Sequence, residues 1–195
     1  MFQTRLFSGL ILLAIAITVV ILGGNILFAT VLIISLIGMM ELFRIVKVNK
    51  ALPGILGYIV GISFYLLIYF NLEQYQMILF ILYLLLLMSI YVFRFPNYKT
   101  EQISVAFMGL FYVSVMLSYI YQVRMQEDGA ILVWLIFIGA WGSDTCAYSV
   151  GSLIGKHKIT PKLSPKKSLE GCIGGVVGAA LIAFIYATIF KSSIK

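Results

Sequence analysis

The charge-free runs of this chain settle its fold class before any motif is read. No Asp, Glu, Lys or Arg occurs in windows 6–40, 51–72, 74–93, 102–123 and 171–190, and a further window, 129–155, is interrupted by Asp144 alone. About 20 consecutive apolar residues in helical form cross a bilayer core, and a helix satisfies its own backbone where no water is available. A soluble domain could not bury so many such windows: 62% of the residues are hydrophobic, 11% are charged, and mean hydropathy is +1.08. The first window is too long for one crossing and carries Gly23-Gly24-Asn25 near its middle, a turn signal that divides it in two. Seven helices are therefore predicted, near 6–23, 25–43, 53–70, 75–93, 103–123, 130–152 and 171–190. The expected fold class is an all-α polytopic membrane protein of about seven transmembrane helices, multi-pass in the lipid bilayer.

Residues 6–22 behind Arg5 have the outline of a signal peptide, but the glycine turn leads straight into another apolar run rather than a soluble domain. Cys146 and Cys172 both fall in predicted spans and imply no oxidising compartment. The net charge of +7 follows topology. With a cytoplasmic N-terminus the inside holds Arg5, Arg44, Lys47, Lys50, Arg94, Lys99, Lys156, Lys158, Lys162, Lys166 and Lys167. The outside then holds Arg124, Lys191 and Lys195. That bias obeys the positive-inside rule and places the loop 153–168 in the cytoplasm. Nucleic acid is not an expected partner.

Residues 1–128 read as an N-terminal five-helix membrane scaffold. Glu41 and Arg44 at i, i+3 make a surface ion pair. Tyr58, Tyr69, Tyr75, Tyr91, Tyr112 and Tyr119 read as interface anchors and packing. Residues 129–195, comprising the sixth helix, a basic loop and the seventh helix, carry the candidate chemistry. Asp144 is a carboxylate at membrane depth, costly by roughly 2.5–3.5 kcal/mol at a helix centre on insertion scales and so a mark of function. Trp141, Asp144, Thr145, Tyr148, Gly151, Ser152 and Gly155 share one helical face. Small-residue packing explains its glycines and serine but not the aspartate. Gly171/Gly175 and Gly174/Gly178 form two overlapping small-xxx-small pairs on the seventh helix.

The loop between these helices holds Lys156, Lys158, Lys162, Lys166 and Lys167. Thr160-Pro161 and Ser164-Pro165 each place a hydroxyl before a proline, the pattern of a helix start. Lysine meets phosphate as a mobile point charge, so this loop suggests a phosphate-rich ligand. A topological signal or an anionic-lipid contact would need the lysines in no particular order. His157 is the single histidine of the chain, a weak metal-ligand candidate.

The run Trp141, Asp144, Thr145, Ala147, Tyr148, then Gly155-Lys156-His157-Lys158, then Pro161-Lys162-Leu163-Ser164-Pro165-Lys166-Lys167-Ser168-Leu169-Glu170-Gly171 resembles the bacterial phosphatidate cytidylyltransferases, or CDP-diacylglycerol synthases. The match is dense over about thirty residues. Earlier helices share only layout and Glu41-Leu42, and Leu169 stands where the family often has tryptophan. The resemblance implies transfer of a cytidylyl group from CTP to phosphatidate, giving CDP-diacylglycerol and pyrophosphate, a step of phospholipid biosynthesis at the bacterial plasma membrane. It implies Mg²⁺ as cofactor and catalytic roles for Asp144, Lys166, Lys167 and Glu170, with Asp144 serving the metal. Glu170 would orient the lysines or share in metal binding. Substrate would be held by Lys162, Ser164, Pro165, Ser168, Thr145 and Tyr148. A second copy of the chain is left open as a partner.

The family's further signature does not occur here: a Ser-x-x-Lys-Arg segment, a Lys-Asp pair, a His-Gly-Gly turn and an Asp-Arg-x-Asp motif. A truncated member, inactive alone and short of its main metal ligands, is the expectation. Two other classes stay open: a transporter or channel-like protein using Asp144, and a non-catalytic structural partner of a full-length enzyme.

Overall fold

The computed structural model describes residues 2–162 and 164–191. The side chain of Arg5, the residue Leu163 and the terminal Lys195 lie outside the described residues. Among the described residues seven helical rods follow one another: α1 (Phe2–Leu22), α2 (Gly24–Ile45), α3 (Leu52–Tyr69), α4 (Glu73–Phe93), α5 (Thr100–Arg124), α6 (Gly129–Ile154) and α7 (Leu169–Phe190). The rods from α2 to α7 are six helices long and apolar enough to cross a membrane; the apolar part of α1, Phe7–Leu22, is shorter. The chain is an all-α polytopic membrane protein. The rods begin or end within a few residues of the charge-free windows because polar residues occupy the end turns. At α5, Lys99 N–H donates to Gln102 Oε1 at 2.9 Å, so the helix starts at Thr100 rather than at 103.

The break between α1 and α2 is the predicted glycine turn. Gly23 and Gly24 sit at φ 63° and 51°, in the left-handed region where a side chain is strained. Pro53 opens α3 in its first turn, where its missing N–H costs nothing.

The chain forms two compact units, 1–122 and 123–195. In the first, Met39, Phe43, Val60, Tyr83, Leu87, Ile103 and Leu110 make a buried cluster drawn from α2 to α5. Buried polar groups of this unit find partners within the unit. Tyr83 OH donates to Ala106 O at 2.7 Å, Ser35 Oγ and Tyr65 OH lie 2.6 Å apart, and Tyr65 OH donates to Ser114 O at 3.2 Å. Ser114 belongs to a π-helical segment of α5, Leu110–Val115. The tyrosine hydroxyl thus ties α3 to this segment. Tyr65 and Tyr83 were not among the tyrosines singled out by position, yet they are the fully buried ones. Among those that were, Tyr58 OH donates to Asn49 O at 3.2 Å, and Tyr112 and Tyr119 are exposed. The Glu41–Arg44 ion pair forms at 3.1 Å on the surface.

Candidate functional site

The second unit pairs α6 with α7 through residues too small to keep the backbones apart. The register is antiparallel: Gly151 lies opposite Gly171, Ala147 between Gly171 and Gly175, Ser143 beside Gly175, Val150 against Gly174 and Cys146 against Gly178. A Cβ at Gly171 would stand 2.9 Å from Ala147 O and 3.2 Å from Gly151 Cα, both α6 backbone atoms. The small-xxx-small pairs of α7 therefore serve packing, as their spacing suggested.

A hairpin-like loop closes the end of this helix pair. Lys158 and Ser168 form an antiparallel bridge, Ile159 N–H donates to Lys167 O at 3.3 Å, and Leu169 N–H donates to His157 O at 2.8 Å. Between these arms the chain turns twice, with Ser164 N–H donating to Thr160 O at 2.8 Å and Lys167 N–H to Ser164 O at 3.2 Å. The Thr-Pro and Ser-Pro signals thus make turns and not helix starts. A helix begun at Pro161 would meet Pro165, which lacks the N–H it needs. One begun at Pro165 would run into residues 167–169, already paired with 157–159. The cap of α7 is Ser168, 2% exposed, whose Oγ accepts from Gly171 N–H at 3.2 Å.

Glu170, in the first turn of α7, reaches back across the neck of the loop. Its carboxylate accepts from Lys156 N–H at 3.1 Å and from His157 N–H at 3.2 Å, and His157 Nδ1 donates to Oε1 at 2.6 Å. Against the α6–α7 groove the loop bounds a cleft of about 980 Å³, at the upper end of small-molecule sites. Asp144, Tyr148 and Ser152 of α6 line it, with Lys158, Ser164, Pro165, Lys166 and Lys167 of the loop and Cys172 and Val176 of α7. Three lysines face one carboxylate, a net positive lining suited to an anion.

Of the residues chosen from sequence, Asp144, Tyr148, Ser164, Pro165, Lys166, Lys167 and Ser168 meet at this cleft. Three do not. Lys162 is exposed on the loop and is not in the lining. Glu170 turns its carboxylate to the loop neck. Thr145 lines a different cavity of about 340 Å³ with Trp134, Phe137, Ile138, Trp141, Gly142 and Ile182. The expected single stripe divides by ordinary helical phase: Thr145 lies about 100° round the helix from Asp144 and one turn beyond Trp141, so the two neighbours line different cavities. Thr145 then follows Trp141 onto the apolar side. Ser152, on the polar face, and Lys158, in the basic loop, line the cleft although neither was assigned a substrate role from sequence, and His157 as a partner of Glu170 was missed. Only the cross-loop pairing brings Lys158 beside Lys166 and Lys167.

Among the described residues no three His, Cys, Asp or Glu side chains gather at one point. With Glu170 committed to the loop, Asp144 is the carboxylate of the described cleft lining. Mg²⁺ is commonly held by one or two carboxylates together with phosphate oxygens and water. The cleft fits the ion only in that shared form, and no protein-built Mg²⁺ shell is present among the described residues.

Comparison with known proteins gives this geometry a context. The cytidylyltransferase family matches the chain over residues 3–194, nearly its whole length. The chain belongs to the cytidylyltransferase family. Curated relatives named phosphatidate cytidylyltransferase include those of Staphylococcus saprophyticus, 26% identical over 165 residues, Staphylococcus haemolyticus, 27% over 168, and Bacillus subtilis, 28% over 170. These alignments cover 82–83% of this chain and 62% of each relative, so the chain spans less than two thirds of the length of the family members it matches.

Proposed function

We propose that α6, the loop and α7 form the phosphate-holding part of a phosphatidate cytidylyltransferase at the cytoplasmic face of a bacterial plasma membrane. The observation that carries this reading is the convergence of Lys158, Lys166 and Lys167 on one cleft, opposite Asp144, at the end of two membrane-spanning helices. The charge asymmetry of the loops supports a cytoplasmic N-terminus and loop. In the proposed reaction a phosphate oxygen of phosphatidate forms a bond to the α-phosphorus of CTP. The bond from that phosphorus to the β-phosphate oxygen breaks, and pyrophosphate leaves with the electron pair. Bringing two polyanions together is opposed by their charge, so positioning and neutralisation supply most of the acceleration. Lys166 and Lys167 on the second turn, and Lys158 on the facing arm, supply the positive charge; Ser164 offers a hydroxyl to a phosphate oxygen. Mg²⁺, held by Asp144 and by phosphate oxygens, would add further charge neutralisation.

The test is CTP binding by the full chain in lipid nanodiscs, read by calorimetry. Lys166→Ala and Lys167→Ala are each expected to weaken binding roughly tenfold, about 1.4 kcal/mol, with the effect shrinking as salt rises. Failure of the wild-type chain to bind CTP, or binding untouched in the double variant, would overturn the proposal.

A further inference from the structure

We infer that Glu170, through its contacts with Lys156 and His157, is a positioning residue that sets the lysine loop in its anion-binding form without touching the anion. The inference rests on the phosphate-site reading above. The carboxylate spends both oxygens on the neck of the loop: two successive backbone N–H groups and the His157 ring. It is partly buried, 22% exposed, and does not line the cleft, whereas His157 is 79% exposed. Residues 157–159 reach their partners at 167–169 directly after this clasp, so the clasp holds the arm that carries Lys158 in register with the arm that carries Lys166 and Lys167.

Consider what each step of the chain could do without it. The short ladder has few hydrogen bonds and no sheet beside it, and an isolated hairpin of this kind is marginal in water. Charge-assisted hydrogen bonds from successive amides to one carboxylate are the stronger kind, and here they fix the point at which the loop leaves α6. Ser168 and Gly155 fix the other side of the neck by close packing. Without Glu170 the lysines would remain on the chain but would not be gathered at one place.

The sign of the effect separates this reading from simple electrostatics. A carboxylate close to an anion site repels the anion, so deleting its charge should by field alone tighten binding. A clasp predicts the reverse. It also predicts that Glu170→Gln, which keeps an acceptor oxygen for the amides while losing the charge, recovers much of what Glu170→Ala loses.

The experiment uses the full chain in nanodiscs, with CTP as probe for binding and amide hydrogen exchange for the loop. Glu170→Ala is expected to weaken CTP binding about tenfold and to raise exchange of the loop amides in the ligand-free protein, with Glu170→Gln within about threefold of wild type. Melting of the helices should stay close to wild type in both. CTP binding by Glu170→Ala as tight as wild type, or tighter, overturns the inference while leaving the phosphate-site reading intact. Unchanged exchange at the loop amides overturns it whether or not CTP binds. A wild-type chain that binds no CTP removes the phosphate-site reading and leaves the clasp to stand or fall on exchange.

Discussion

Gly171 is where packing of the helix pair and the shape of the cleft meet, and Gly171→Ala tests both. The added Cβ would lie 2.9 Å from Ala147 O, 3.1 Å from Ser168 Oγ and 3.2 Å from Gly151 Cα. Two of these atoms are α6 backbone and the third is the buried cap hydroxyl, so none can swing aside. Restoring ordinary contact at about 3.4 Å requires α6 and α7 to part by about half an ångström at this level. Overpacking of this kind costs about 1–3 kcal/mol. Against that stands the better helix propensity of alanine, at most about 1 kcal/mol and less in a first turn. The net expectation is a loss of about 1–2 kcal/mol. For a chain of this size that lowers the melting midpoint by roughly 2–8 °C. The assay is thermal unfolding in detergent, with Gly9→Ala as the control, since a Cβ there meets nothing within 4 Å. The same preparation is titrated with CTP, and weaker binding is expected because the cap hydroxyl and the cleft floor move together. Melting of Gly171→Ala at or above wild type, with CTP binding unchanged, would refute the argument that backbone contact at this glycine sets the geometry of the site.

Two further substitutions probe single contacts. Ser168→Ala removes the buried cap of α7 and should cost about 1 kcal/mol, visible as a lower melting midpoint and faster exchange at the Gly171 amide; an unchanged midpoint would mean that the cap hydroxyl contributes little. In the first unit, Tyr65→Phe leaves Ser35 Oγ and Ser114 O without their shared partner. The expected loss is about 1 kcal/mol, nearer the lower figure measured for hydrogen bonds inside membranes, with no change in CTP affinity relative to wild type.

The legible part of the fold was the part a bilayer dictates. A membrane demands a fixed length of apolar chain and internal satisfaction of every backbone group, so charge-free windows and one glycine pair located the helices to within a few residues. The buried tyrosines were not legible in the same way. Tyr65 and Tyr83 look in sequence like Tyr112 and Tyr119, and only their neighbours on other helices distinguish a core hydroxyl from an exposed one. At the site, the contiguous Ser-Pro-Lys-Lys run could be read directly because its residues are neighbours in the chain. Thr145 could not, because the polar stripe is wider than the cleft, and which of its edges meets the loop depends on how α6 packs against α7. For Glu170 the resemblance implied a choice between orienting the lysines and metal binding, but its partners could not be read, since they lie thirteen and fourteen residues away across the loop.

By itself, then, the sequence determined a seven-helix membrane chain with a basic loop beside one intramembrane acid. These are one-dimensional properties, set by length, periodicity and local charge. Which lysines share a cleft, which small residues let α6 and α7 touch, and what Glu170 holds were decided only in three dimensions. Each depends on pairing between segments far apart along the chain, and no local preference specifies such pairing.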